Sequence, residues 1–405
     1  MNKYFSVEDK IYDMVNKNPK AIDFLISNGF EHFSDKDIFE KMSKNISLSM
    51  ALKLKKINVD LYEERLVSYL EESTSSVDTT LIEKKENKNA DVNIQGVLPC
   101  PIRIPLLENF ESWLENNKNN FDTTISYNLK SANRGLDWIK EQVKTGNVDD
   151  VPDVVISAGF DLFFDKELMG QYLDKDIFEV KRSDINSDFC NENIDLRDPQ
   201  NKYSIIGVVP AVFLVNKNEL NGRKMPETWA DILSEEFSNS VAIPMGDLDL
   251  FNAILVNIHR EYGDEGISNL ARSYMKNLHP AQMVKSQLLK KNMNPAVSII
   301  PYFFTQMSQG ENVEAVWPKD GAIMSPIFLM SKKGKTSQVV DFFMSTEVGK
   351  IFSANGKFPS TNKNVENYLS KDKKFKWVGW DFIHNTDIGS LLRTLEENFN
   401  KEIVD

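Results

Sequence analysis

From about residue 94 onward, short and unusually apolar runs alternate with amphipathic ones, and this alternation limits the fold more than any other feature of the chain. NIQGVLPC is followed by IRIPLLENFESWLENN, and TTISYNLK by ANRGLDWIKEQVKTG; PDVVISAG and IIGVVPAVFLV come next. VAIPMG then precedes DLFNAILVNIHREYG, with AVSIIPYFFTQM and GAIMSPIFLM beyond it. Runs this rich in Val and Ile read as strands buried on both faces, and the segments between them as helices that cover the strands. Strand and helix in succession imply an α/β fold built on a parallel sheet. The chain closes with helices around VVDFFMSTEVGKIFSANG and IGSLLRTLEENFN. It is also longer than one hydrophobic core ordinarily serves, so at least two cores are expected.

Residues 1–70 follow a different pattern, that of a small all-α domain. Ser6 and Asp9 stand in capping-box spacing ahead of the stripe Val7, Ile11, Met14 and Val15, which predicts a first helix. Asn18 and Pro19 suit the start of a second helix, which Gly29 can close in a left-handed conformation. Further helices are expected from Ser47 and from Asp60. The stretch 71–93, EESTSSVDTTLIEKKENKNADVN, is polar and free of aromatics, so it reads as a flexible linker between this domain and the α/β part.

Composition removes several functional classes. With 41% apolar and 27% charged residues the chain has ample material for packed cores. A net charge of -12 and the lack of a long basic block argue against nucleic acid as partner. The cysteines Cys100 and Cys190 have neither disulfide-framework nor zinc spacing, which fits a reducing compartment. MNKYFSVEDKIYDMV lacks the roughly 7–15-residue apolar run of a secretory leader. No window approaches the roughly 18 apolar residues of a membrane span. The expectation is a cytoplasmic protein with no membrane insertion, or an extracytoplasmic one if a leader has been removed.

Residues 226–244, PETWADILSEEFSNSVAIP, resemble the extracellular solute-binding family related to ferric-ion and phosphonate binding proteins. In that family a P-x-T-W-x-D-L segment precedes an A-I-P strand. The later segments keep the family's order: Glu261, Tyr262 and Gly263 at a helix end, then VEAVWPKDGAIMSPIFLMSKKGK, then VVDFFMSTEVGKIFSANGKFPS. The resemblance implies the two-lobed type 2 periplasmic-binding-protein fold. Lobe one would comprise residues 94–207 with 320–405, lobe two residues 208–319, with hinge strands near Val208–Pro210 and Gly321–Met324. It also implies an ABC permease as partner where such a protein is exported. Through NPKAIDFLISNGF, the first 70 residues resemble a small helical domain of unknown function; some of its relatives carry a cysteine pair that is missing here.

Ligands of open α/β sheets bind beyond the carboxyl ends of the strands, where helix N-termini offer free N–H groups. That rule selects Cys100 and Pro101 after the first strand, and Ser131, Asn133 and Arg134 after the second. After the third it selects Ser157, Ala158, Gly159 and Phe160, and in the second half Gly246, Asp247 and Tyr302. The returning strand adds Met324 and Ser325. Each has a plainer reading beside the functional one: Asp247 as a helix N-cap, Arg134 as a solvated first-turn residue, Cys100 as a small packing residue held between two prolines. Ferric sites in the family use two adjacent tyrosines. Here the position reads Tyr302, Phe303, Phe304, which lacks one of the hard oxygen donors Fe(III) demands.

The function expected from these residues is capture of a small organic molecule or oxyanion between two lobes that close on a hinge, with no metal and no cofactor. The protein would be a substrate-binding component of ABC-transporter type, or a carrier or sensor derived from one, with the helical domain docking a protein partner. Two alternatives stay open, an iron-binding protein and an enzyme on the same fold. Against the enzyme, the sequence has no G-x-S-x-G, P-loop, HExxH or dinucleotide glycine fingerprint.

Overall fold

The computed structural model describes residues 4–19, 21–27, 30, 33, 36–55, 59, 63, 66, 70, 90–120, 123–131, 136–181, 184–245, 248–278, 283–284, 294–308, 312–334 and 336–404. Contacts divide the chain into two units, Met1–Glu86 and Asn87–Asp405.

The first unit is helical, with α1 Ile11–Lys17, α2 Ala21–Ser27, α3 Lys36–Ser43 and α4 Leu48–Leu54. Ile11, Met14, Phe24, Leu25, Leu48 and Leu52 bury their side chains in one core, joined by Phe30, Phe33, Leu66 and Leu70. The helix starts differ from the sequence reading. Asp9 accepts the Ser6 amide at 3.1 Å, which is half of a capping box, but the chain turns there and α1 begins only at Ile11. The reason is a backbone clamp: Ile11 donates to the Ile46 carbonyl at 3.1 Å and Leu48 to that of Asp9 at 3.2 Å, pinning the turn at residues 7–10 beside the start of α4. Ser47 caps α4 as expected, accepting the Met50 amide. Helix α3 was not expected, although Ile38, Phe39 and Met42 stand at helical spacing within KDIFEKMS. The predicted roles of Gly29 and Asp60, and most of the linker, lie outside the described residues.

The second unit is built on one mixed sheet. The strands are β1 Val92–Leu98, β2 Ile125–Ser131, β3 Val154–Ala158, β4 Phe178–Glu179, β5 Ser204–Asn216, β6 Val241–Ile243, β7 Tyr274–Asn277, β8 Val297–Pro301, β9 Val313–Val316, β10 Ala322–Lys332 and β11 Phe375–Lys376. The main path runs β2-β1-β3-β10-β5-β8-β6-β7. Strand β1 therefore starts at Val92, inside the last residues of the stretch read as linker. Helices α5 Cys100–Asn117, α6 Asp137–Val143 and α7 Asp161–Phe164 follow the first three strands. The second half adds α8 Trp229–Ile232, α9 Leu248–Ser273 and α10 Tyr302–Thr305. The chain ends with α11 Ser337–Phe343, α12 Thr346–Lys350, α13 Trp380–Asn385 and α14 Ile388–Val404. Gly263 interrupts α9 at φ 65°, ψ −159°, so the helix stops at the predicted Tyr-Gly end and then restarts.

Two strands serve both halves. β10 pairs with β3 through Ile327–Ser331, and β5 pairs with β8 through Ala211–Val215. Between those stretches β5 and β10 pair with each other, from Ala211↔Ile323 to Ser204↔Leu329, with a bulge beside Ile327 and Phe328. The bulged backbone is held by the segment after α12: Thr361 donates its hydroxyl to the Ile205 carbonyl at 2.7 Å, and Val208 donates to the Pro359 carbonyl at 3.0 Å.

A third connection was not foreseen. β11 lies parallel to the start of β10, and the chain then passes Trp377 against Phe160, ring centroids 6.0 Å apart, and Trp380 against Tyr203, 5.9 Å apart and stacked. Helix α14 also touches both halves: Arg393 pairs with Asp165 at the end of α7, while Phe399 packs on Phe251 of α9 and Ser268 donates to Glu402 at 3.0 Å. Among the described residues no helix is long and apolar enough to cross a membrane.

Candidate functional site

Register fixes where the strand ends meet. β3 runs antiparallel to β10 and ends with Ala158 opposite Ile327. β8 runs antiparallel to β5 and ends with Pro301 opposite Ala211, which itself faces Ile323 of β10. β3 and β8 thus point their carboxyl ends at each other along β10. Four residue steps separate the two levels, roughly 13 Å of strand. β1 and β2 are parallel to β3 and end beside it, Leu98 opposite Ser131; β6 is parallel to β8. Strand ends of both halves therefore border one groove, the placement expected of a ligand site in such sheets.

The floor of the groove is the two-stranded ladder between those levels, Val208–Pro210 of β5 against Met324–Pro326 of β10. Pro210 and Pro326 each lack an amide donor there. Ser325 is buried, and its hydroxyl has no hydrogen-bond partner. Met324 is fully buried among apolar neighbours. At the lip the halves touch: Gly159, at φ 122°, lies so near the start of α9 that a Cβ added to it would sit 2.5 Å from Asp249 Oδ1.

The sequence-selected residues divide into three groups. Pro101 in the first turn of α5, Gly159 just after β3 and Tyr302 at the start of α10 lie at the carboxyl ends of strands. Ser157, Ala158, Phe160 and Met324 are buried, and the Ser157 hydroxyl donates to the carbonyl of Ala158 at 2.9 Å. Cys100 opens α5 and Ser131 ends β2, but their side chains lie outside the described residues, as do Asn133, Arg134, Gly246 and Asp247 altogether. The Tyr302 ring meets Trp317 edge-on at 5.2 Å, and the Lys373 ammonium stands 5.0 Å from both ring centroids. Among the described residues no group of three or more His, Cys, Asp or Glu side chains is placed to hold a metal ion.

Sequence reasoning missed one wall. Beside the lip, α6, α7, α9 and α14 enclose a cavity of about 300 Å³. Lys140 of α6 forms an ion pair with Asp161, the first residue of α7, and Arg393 of α14 forms one with Asp165. Glu396, one turn further along α14, is half-buried; burial, reinforced by the Asp161 carboxylate, holds its carboxyl above the usual range against the pull of Lys140. Asn252 of α9 is buried in the same wall, and its side-chain oxygen has no partner. Asp161 adjoins the predicted SAGF turn and Asn252 lies one turn into a predicted helix, so the strand-end rule stopped just short of both. Nothing local in IGSLLRTLEENFN signals that α14 returns to this place.

A family model described as bacterial extracellular solute-binding protein matches residues 149–386, and one described as a domain of unknown function (DUF1858) matches residues 5–61. No curated protein sequence matches the chain. Among solved structures, the chain is similar to a ferric binding protein from Campylobacter jejuni at 12% identity and a TM-score of 0.54, covering 77% of this chain and 99% of that one. It is similar to the periplasmic binding protein AfuA from Actinobacillus pleuropneumoniae, solved with fructose-6-phosphate, at 16% identity and a TM-score of 0.53, covering 77% and 98%. It is also similar to a Trichodesmium protein solved with iron and citrate, at 12% identity and a TM-score of 0.53, covering 77% and 98%. These likenesses agree with the two-lobed type 2 periplasmic-binding-protein fold read from the sequence. With its family model spanning more than half of its length, the chain belongs to the bacterial extracellular solute-binding proteins.

Proposed function

We propose that this protein captures a small organic solute in the groove between its halves, which swing on the β5–β10 ladder and on the segment through Trp377. The observation that carries the reading is the head-on approach of β3 and β8 along β10, with the lips meeting at Gly159 and Asp249. The lobes divide at the ladder, residues 94–207 with 320–405 forming one and 208–319 the other, and α14 spans the division. Pro101, Gly159, Tyr302 and Ser325 are the proposed contacts from strand ends and floor, and the strand-end rule adds Asn133, Arg134, Gly246 and Asp247 as candidates on sequence alone.

Ferric iron, named for two of the similar structures, suits this groove less well. Tyr302 is followed by Phe303 and Phe304, and the Lys373 ammonium over its ring opposes a ferric ion held at Tyr302 itself. The proposed partner outside the cell is an ABC permease, as the family resemblance implies; inside it, the same groove would serve a carrier or sensor. The protein is read as a binder and not as an enzyme, and the first helical unit as a docking element for a protein partner.

Native mass spectrometry of the full chain, gently purified, tests the reading. A stoichiometric adduct of small-molecule mass that disappears after denaturation and refolding is the expected result. An adduct-free protein whose melting temperature is unmoved by metals, oxyanions, amino acids, amines and vitamins would refute it, since a ligand at 100 times its Kd stabilises by about 2.7 kcal/mol.

A further inference from the structure

The charge balance of the cavity beside the lip narrows the chemistry of the solute. Two of its ion pairs are internally neutral, Lys140 with Asp161 and Arg393 with Asp165. Once they are set aside, the wall holds the carboxylates of Asp137, Glu141, Glu167 and Glu396 against one ammonium, that of Lys144. A half-open hollow with this excess attracts cations and repels phosphate and carboxylate groups. Asn252 is a separate observation: this buried residue lines the cavity, and nothing donates to its amide oxygen. Buried acceptors are almost always satisfied, and one left open at a cavity wall calls for a donor from the occupant. A positive group that also donates hydrogen bonds is a primary or secondary ammonium.

We infer that the cavity between α6, α7, α9 and α14 binds the ammonium group of a small amine, with Asn252 accepting one of its N–H bonds and Glu396 supplying its counter-charge. The inference rests on the solute-binding reading and adds the chemical class of the ligand. The remaining donor hydrogens face the Asp137 and Glu141 carboxylates on α6 or water at the open side. A quaternary ammonium carries the same charge but has no hydrogen to give Asn252. Dispersed and already partly paired carboxylates also do not make the tight oxygen cage that a bare metal ion requires.

Calorimetric titration of the full chain tests this with four probes: 1,4-diaminobutane, tetramethylammonium, inorganic phosphate and ferric citrate. The expected result is saturable binding of 1,4-diaminobutane, with tetramethylammonium about tenfold weaker or more, the usual effect of losing one hydrogen bond to a charged group. Glu396→Gln and, independently, Asn252→Leu should each weaken 1,4-diaminobutane about tenfold or more. Circular dichroism melting confirms that each variant is folded. No saturable binding of 1,4-diaminobutane, equal binding of tetramethylammonium, or affinity for it untouched by both substitutions would overturn the inference. Should native mass spectrometry reveal a bound anion, or phosphate or ferric citrate bind with an affinity that Glu396→Gln leaves alone, the ammonium site falls while the solute-binding reading stands. Silence in both experiments removes both.

Discussion

The indole N–H of Trp229 donates to the carbonyl of Gly321 at 2.9 Å, joining the helix of the PETWAD segment to the entry of the returning strand β10. The Trp229 backbone N–H points at the Asp320 carboxylate, 3.2 Å from its nearer oxygen, and the Lys319 amide donates to the Glu227 carbonyl at 2.7 Å. Two motifs about ninety residues apart in sequence are thus halves of one bonded corner. Removing the donor while keeping the ring, Trp229→Phe, leaves the Gly321 carbonyl buried without its partner. The expected loss is about 1–3 kcal/mol. Equilibrium urea unfolding measures it, and Trp229→Ala should lose more, about 3–5 kcal/mol, through the cavity it opens.

Gly159 lies close against Asp249 of the opposite half. A Val there meets the Asp249 carboxylate and must also adopt an unfavourable positive φ, so Gly159→Val should hold the lips apart. The expected phenotype is a fall in solute affinity of about tenfold or more at little cost to the cores. Native mass spectrometry reads the fraction of protein still carrying its adduct, and retention of the adduct at wild-type level would count against the lip contact.

Asp231 closes a capping box with Thr228 at the start of α8. Burial alone would raise its carboxyl, but the amide N–H groups of Glu227 and Thr228 and the Thr228 side chain outweigh burial and hold it below the usual range. A depressed folded-state value contributes stability that is complete above the unfolded aspartate value of about 3.9 and is lost as pH falls through the folded one. The stability difference between wild type and Asp231→Asn should therefore be flat at neutral pH and shrink below about pH 4, as measured by urea unfolding across that range.

Glu396 carries the opposite sign. Its folded-state carboxyl lies above the ordinary range, so the ionised form weakens the ligand-free fold once pH exceeds the unfolded glutamate value of about 4.3. Glu396→Gln should raise the melting temperature of the empty protein at neutral pH, with the gain fading in acid, and should at the same time lose affinity for amines. The stability gain follows from the raised carboxyl alone, so the loss of amine affinity is the part that separates a ligand contact from a merely structural glutamate.

Much of the architecture was legible because its strands are apolar runs long enough to be buried on both faces, as in IIGVVPAVFLV and GAIMSPIFLM. The short strands β4, β7, β9 and β11 were not, since two to four residues carry no period and are fixed by their neighbours. The strand-end rule picked Gly159 and Tyr302, which do follow the ends of β3 and β8, and also Phe160, which the fold buries completely, as it does Met324 of the returning strand. Asn252, Glu396 and Trp377 escaped notice because their positions depend on packing between segments more than a hundred residues apart. Ser6 and Asp9 show the reverse case: a correct local pairing that the backbone clamp to Ile46 turned into a bend instead of a helix start.

Pro210 and Pro326 occupy diagonal positions in the bridge between the halves, Pro210 opposite Met324 and Val208 opposite Pro326. Each withholds an amide from the ladder at the level where the bridge must flex. Bending there sacrifices fewer backbone bonds than bending elsewhere in the sheet, so the strain of opening collects in this short stretch and spares the cores on either side. How readily the molecule gapes is then governed by what grips at its rim, the Gly159–Asp249 approach and whatever small molecule occupies the groove, more than by the stiffness of the strands that join its halves.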